Sequence, residues 1–267
     1  MNWREEGMFG KVDFAGVVSF VAKRRKATGG YGATPRLPAT IEDTFEAVAI
    51  SRDLAVLAPS TCLPHPPETD TELHDYLRET ERRTWPGLRT TGQLLQTCRF
   101  LGIPIDPKRV RGYTADHCSG RNDLPTIYYA TLLEREIPPI NPLGQTRNVP
   151  ALPGRPTAED VRMHLALRKL GGVAETSDQG GLLAWLRRCQ NGDGGFGFFP
   201  GTTSFIENSH HCLAALTILG GGPAEPEKAR QFVLSCQTGR GGFGRSLRAA
   251  PFLDSTWHAL DCLTLLP

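Results

Sequence analysis

Several things are missing from this chain, and each absence narrows what it can be. No stretch of about 18 consecutive apolar residues occurs, so no segment reads as a membrane-spanning helix. The N-terminal stretch Met1–Phe14 carries Glu5 and Glu6 and no apolar core, so a secretory signal is not expected. A formal net charge of only +2 implies no broad polyanion-binding surface, which sets nucleic acid aside as a partner. The seven cysteines are odd in number, and no two form a Cys-x-x-Cys pair. Five of them (Cys98, Cys189, Cys212, Cys236, Cys262) sit in apolar helical patterns, where a thiol acts as a small hydrophobe. A reducing cytoplasm is the expected compartment, with neither disulfides nor a thiolate metal site.

What the chain does contain is a repeat. The tetrad Gly241-Gly242-Phe243-Gly244 recurs as Gly194-Gly195-Phe196-Gly197 and as Gly29-Gly30-Tyr31-Gly32. At one fixed distance after each tetrad stands a hydroxyl (Thr44, Ser209, Thr256), and two residues before it an acid (Glu42, Glu207, Asp254). An aliphatic helical pattern follows, so each unit reads as helix, glycine loop, helix. Sharp copies span 12–55, 182–222 and 226–266, and degenerate copies span 70–172. Thr91 aligns with Ser209, and Ile127-Tyr128-Tyr129-Ala130 falls on Thr44-Phe45-Glu46-Ala47. Thr157–Leu170 is a second helix without a clear first one. Thr40 is the expected N-cap of the helix beginning at Ile41. The Pro/Gly-rich 138–156 shows no periodicity, and Asp116-His117-Cys118 reads as a polar loop. One such hairpin cannot bury its apolar face alone, so about six must stack into a single domain over 1–267. The tetrads lack the Lys-Ser/Thr of a phosphate loop and lie between helices, so they read as tight turns with a buried aromatic.

Cys-Gln, a few polar residues, Gly-Gly-Phe-Gly, a loop and an acid/hydroxyl-led helix together resemble the repeat of prenyltransferase β subunits and squalene/terpene cyclases. The resemblance implies an all-α fold, an α/α toroid whose second helices line a central cavity. It also implies an isoprenoid diphosphate or another lipid-like small molecule as ligand, with a second subunit or a homodimer as possible partner. The last copy is similar to a prenyltransferase repeat in which an Arg-x-x-Lys holds the diphosphate. Arg245 and Arg248 stand at that spacing, and Trp257 falls at the position of the aromatic that touches the prenyl chain. The family's Asp-x-Cys zinc ligands are replaced here by Pro251 and Leu253, which argues against zinc-dependent protein prenylation.

From the residues alone, Glu42, Glu207 and Asp254 suit the first turn of a helix, where a carboxylate contributes about 0.3–1 kcal/mol. Glu207/His211 and Asp254/His258 are i,i+4 pairs, so the four could hold a divalent ion such as zinc or magnesium. Phe45, His210 and Trp257 share one repeat position and are expected to line the cavity. The enzyme reading therefore uses Arg245, Arg248, Trp257, His210 and Phe45 for substrate, and Glu207, Asp254, His211 and His258 as acid/base groups. Glu42 and Asp43 would donate the proton in a cyclase of the protonation-initiated type. The contrasting reading is a non-catalytic toroid that binds a lipid or a partner protein.

Overall fold

A computed structural model describes residues 11–137, 149–171 and 179–267. Residues 1–10 and most of the Pro/Gly-rich segment after Ile137 lie outside them. Six inner helices form a ring: α2 (Ile41–Leu57), α4 (Leu88–Phe100), α6 (Leu124–Arg135), α7 (Ala158–Leu170), α9 (Ile206–Ile218) and α11 (Leu253–Leu265). Each packs on the next, and α11 packs back on α2, so the ring is closed. Outside it lie α1 (Phe14–Ala22), α3 (Thr71–Arg82), α5 (Pro107–Cys118), α8 (Gln179–Arg188) and α10 (Pro226–Ser235). This is the expected α/α toroid. Among the described residues α7 has no outer companion, as its sequence suggests. One expectation fails: Asp116-His117-Cys118 is no loop but the last turn of α5, where the His117 ring meets the Tyr113 carbonyl at 2.9 Å.

The repeated positions have repeated jobs. Tyr31, Phe196 and Phe243 are buried almost completely, which contributes about 1.5–3 kcal/mol each. Their backbone N–H groups donate to Thr44 Oγ1, Ser209 Oγ and Thr256 Oγ1, each at 3.0 Å. The same hydroxyls donate to the carbonyls of Thr40, Phe205 and Phe252 four residues back. Each hydroxyl thus ties the loop to the first turn of its inner helix. Thr40 caps α2 as expected, accepting from the Asp43 N–H. Phe205 and Phe252 give no side-chain cap; the Ile206 N–H instead donates to the Arg245 carbonyl in the next loop.

A further position, four residues before each tetrad, grips the neighbouring hairpin. The Gln190 amide accepts from the Glu225 N–H and donates to its carbonyl, both at 3.0 Å, at the start of α10. Gln237 does the same to Asp13 at the start of α1, at 2.9 and 3.0 Å, and so joins the last hairpin to the first. In the first copy Arg25 replaces the amide and makes a fork on Asp70, the N-cap of α3, with two contacts of 2.7 Å. Between the degenerate hairpins the grip runs backwards: Arg109 of α5 reaches the Glu81 and Arg83 carbonyls and lies 4.0 Å over the Trp85 ring.

The first glycine of each tetrad permits this approach. Gly241 has φ +93°, and a Cβ there would sit 2.1 Å from the Gly16 carbonyl oxygen of α1. Gly29 and Gly194 meet Glu72 and Lys228 in the same way. Replacing Gly241 by Ala is expected to lower unfolding stability in urea by about 2–4 kcal/mol, from left-handed backbone and a rigid clash together. Gly239→Ala, which meets nothing within 4 Å, is expected to change it by less than about 0.5 kcal/mol.

Candidate functional site

Carrying the repeat alignment around the ring puts Phe45, Gly92, Tyr128, Arg162, His210 and Trp257 at one position of six successive inner helices. All six line a central cavity of about 640 Å³. Phe45 meets Trp257 edge-on at 5.2 Å, and Trp257 lies 5.6 Å from His210. Three of these, Phe45, His210 and Trp257, were legible in the sequence; Gly92, Tyr128 and Arg162 needed the worn copies to be aligned as well.

Two turns further along their helices, Arg52, Arg99 and Arg135 stand exposed at the C-terminal mouth of the cavity. Cations at helix C-termini complement the peptide dipoles. Arg99 bonds the Arg135 carbonyl and touches Glu136 at 3.5 Å, while Arg52 lies 5.3 Å over the Phe100 ring. With Arg89 and Arg162 the lining holds five arginines against Glu136 and Glu159. Sequence reasoning overlooked this group, and the cavity is more cationic than the apolar well it suggests.

Three imidazoles occupy the middle of the wall. His210 Nε2 contacts Asp261 Oδ2 at 2.7 Å, and its Nδ1 is buried without a partner. Burial outweighs the Asp261 contact and lowers His210 to about 4. With the proton on Nε2 facing the carboxylate, the Nδ1 lone pair is a base. His211 Nδ1 accepts from Arg162 Nε at 3.1 Å, and Arg162 also donates to the Tyr128 hydroxyl at 2.8 Å. Burial, with the Arg162 charge adding to it, keeps His211 far below its ordinary value. These two rings are uncharged at neutral pH. His258 stacks 4.7 Å from His210 and 4.5 Å from Trp257, and its Nδ1 lies 3.2 Å from Asp254 Oδ1.

A second cavity, about 350 Å³, lies at the other, loop-bearing end and is lined by Asp43, Glu46, Glu207, Asp254 and Arg245, among others. Here the structure separates residues expected to act together. Glu207 pairs with Arg245 rather than with His211. Glu42 accepts from Thr90 Oγ1 at 2.7 Å and lines neither of these two cavities. Asp43 accepts from Thr40 Oγ1 at 2.6 Å, and burial raises its pKa. Burial alone would also raise Asp254, but the His258 contact, with Arg89 and His210, holds it below the usual carboxylate range.

Of the metal set Glu207, His211, Asp254 and His258, only Asp254 and His258 meet, at 3.2 Å as their spacing predicts, and the four do not converge. His211 and His258 belong to the central cavity, Glu207 and Asp254 to the outer one. Among the described residues no group of three or more His, Cys, Asp or Glu is placed to hold a metal ion. With Pro251 and Leu253 at the family's ligand positions, the zinc site does not fit this chain. Arg245 and Arg248 part company as well. Arg245 belongs to the acidic cavity, and Arg248 is an exposed loop residue at φ 68° that lines neither cavity.

Residues 157–225 and 208–267 each match the family model of the prenyltransferase alpha-alpha toroid domain. Those two stretches hold the last three inner helices, α7, α9 and α11. No curated protein matches the chain. Among solved structures, the Candida albicans protein geranylgeranyltransferase-I complexed with GGPP aligns at 12% identity and a TM-score of 0.43. That alignment covers 72% of this chain and 89% of the other. No described helix is long and apolar enough to cross a membrane.

Behind the toroid wall, Asp53 is 8% exposed, and its Oδ2 has no hydrogen-bond partner. Burial, then the Asp261 charge, raises its pKa to about 8. A carboxyl raised on folding favours the folded state fully below its unfolded value, and that contribution is lost as pH climbs through the folded one. Asp53→Asn is therefore expected to match the parent protein in urea unfolding at pH 4. At pH 7.5 it should exceed the parent by about 2–4 kcal/mol, the gap opening between those limits.

Proposed function

We propose that the toroid is an enzyme acting on an isoprenoid diphosphate held in the central cavity. One observation carries this reading: a single central cavity combines an aromatic belt with a mouth of exposed arginines. Its volume of about 640 Å³ is in the range of small-molecule sites. The prenyl chain would lie along Phe45, Tyr128 and Trp257, and the diphosphate would sit among Arg52, Arg99 and Arg135. Guanidinium forks match phosphate oxygens and stabilise the charge that develops on them. As the allylic C–O bond breaks, its electron pair leaves with the diphosphate toward the arginines. The cation left behind faces π-systems and the uncharged imidazoles of His210 and His211, which attract or at least do not repel it. A proton shed by that cation would be taken up at the His210 Nδ1 lone pair, with Asp261 holding the ring. This reading moves the anion site from the Arg245/Arg248 pair to the opposite mouth.

The proposal is tested by titrating geranylgeranyl diphosphate while following Trp257 fluorescence. The double variant Arg52→Ala/Arg135→Ala is expected to weaken binding at least tenfold, about 1.4 kcal/mol or more, and to flatten its salt dependence. Arg245→Ala/Arg248→Ala should leave the affinity within about twofold. The reverse ranking would return the diphosphate to the loop end, and an absence of binding in the parent protein would end the isoprenoid reading.

A further inference from the structure

The geometry points to a second binding site: the acid-lined cavity at the loop end of the ring takes an organic cation, a guanidinium or alkylammonium group. Asp43 and Glu46 from α2, Glu207 from α9 and Asp254 from α11 line its wall at separate points, with Arg245 the single cation in the lining. Carboxylates in first helical turns are common and would not alone make a site. Glu46 is different. It lies a turn further in, is 7% exposed, and lines the cavity with no hydrogen-bond or ion-pair partner for its carboxyl among the described residues. Glu207 Oε2 is likewise buried and unpartnered. Carboxylate oxygens so placed favour an N–H donor that enters the cavity.

The donor's chemistry follows from the walls. The carboxylates are not disposed as a metal shell, and a bare ion needs converging ligands. A guanidinium or ammonium group instead spreads several N–H donors over separate acceptors. The chain supplies its own example, since the Arg245 guanidinium bonds Glu207 and lies 3.9 Å from the Phe205 ring centre. A cavity of about 350 Å³ has room for a second group of that size.

Charge linkage makes the site testable. The groups acting on Glu46 are Asp254 from α11, Asp43 and Glu42 from its own helix, and Arg89 from α4. Across the cavity stand Glu207 and Arg245. Burial first, then the three acids, pushes the Glu46 pKa up to about 9. An entering cation must therefore displace the Glu46 proton. Affinity should rise with pH by up to about tenfold per unit below that value and level off above it.

The experiment is calorimetric titration of the full chain with butylguanidinium, which stays charged throughout, between pH 7 and 9.5 and without any diphosphate. The expected result is binding that strengthens at least fivefold from pH 7 to 9. Close to one proton should be released at pH 7.5, seen as a dependence of the heat on buffer ionisation enthalpy. Glu46→Gln, nearly isosteric, should remove the proton release and weaken binding at pH 9 about tenfold, while Arg248→Ala changes neither. No heat from the parent protein at pH 9 would overturn the inference. Binding that ignores both pH and Glu46→Gln would also overturn it. Because no diphosphate is present, either outcome leaves the isoprenoid reading to its own test.

Discussion

The ring depends on one kind of contact, the grip that each sharp hairpin places on the start of the next outer helix. A single amphipathic hairpin leaves an apolar face exposed, so a neighbour must be held in register before the core can form. Gln190 and Gln237 do this with a two-way amide bond, and Arg25 does it with a guanidinium fork on the cap residue Asp70. The left-handed glycine four residues later lets the next helix come close enough for the grip to reach. The buried aromatic and its hydroxyl tie then fix the loop to the inner helix. Position, turn and plug form one device, repeated where the sequence repeats.

Closure arranges charge along the axis. Inner helices run in the same sense, so all their positive dipole ends meet at the loop-bearing mouth and all their negative ends at the other. The acids Glu207 and Asp254 and the arginines Arg52, Arg99 and Arg135 complement those ends. The consequence is an acid-lined cavity at one end of the ring, an aromatic and imidazole belt in the middle, and a mouth of arginines at the other end. Side chains of opposite sign are thereby separated by the length of the belt. Burial at the waist keeps His210 and His211 neutral, so the change of sign takes place across uncharged π-systems.

How much of this could be read in advance depended on how local the signal was. The tetrads, the Thr40 cap and the helix starting at Ile41 obey short-range rules, and they stand where the spacing puts them. Phe45, His210 and Trp257 were legible because they follow the marked hydroxyls. Arg162 sits at the same position, but its copy has lost both tetrad and hydroxyl, so nothing nearby flags it. Arg52, Arg99 and Arg135 look like ordinary solvated helix ends until the ring brings three of them around one mouth. The pairing of Glu207 was misread for a related reason. A shared helix face made His211 its natural partner, but the next loop delivers Arg245 to the acid and the preceding inner helix delivers Arg162 to the imidazole. At this pair, contacts between hairpins override the contact within one, whereas Asp254 and His258 keep theirs.

Gln237 gripping Asp13 has a topological corollary. The join between the last hairpin and the first is built from the same atoms as the join between Gln190 and Glu225, so the architecture has no structural beginning. A gene rearranged to start at another inter-hairpin connection, with α11 linked to α1 by a segment like 219–225, would encode the same closed circle. Removing a hairpin, by contrast, would not shorten an array but leave an open arc with two unmatched faces.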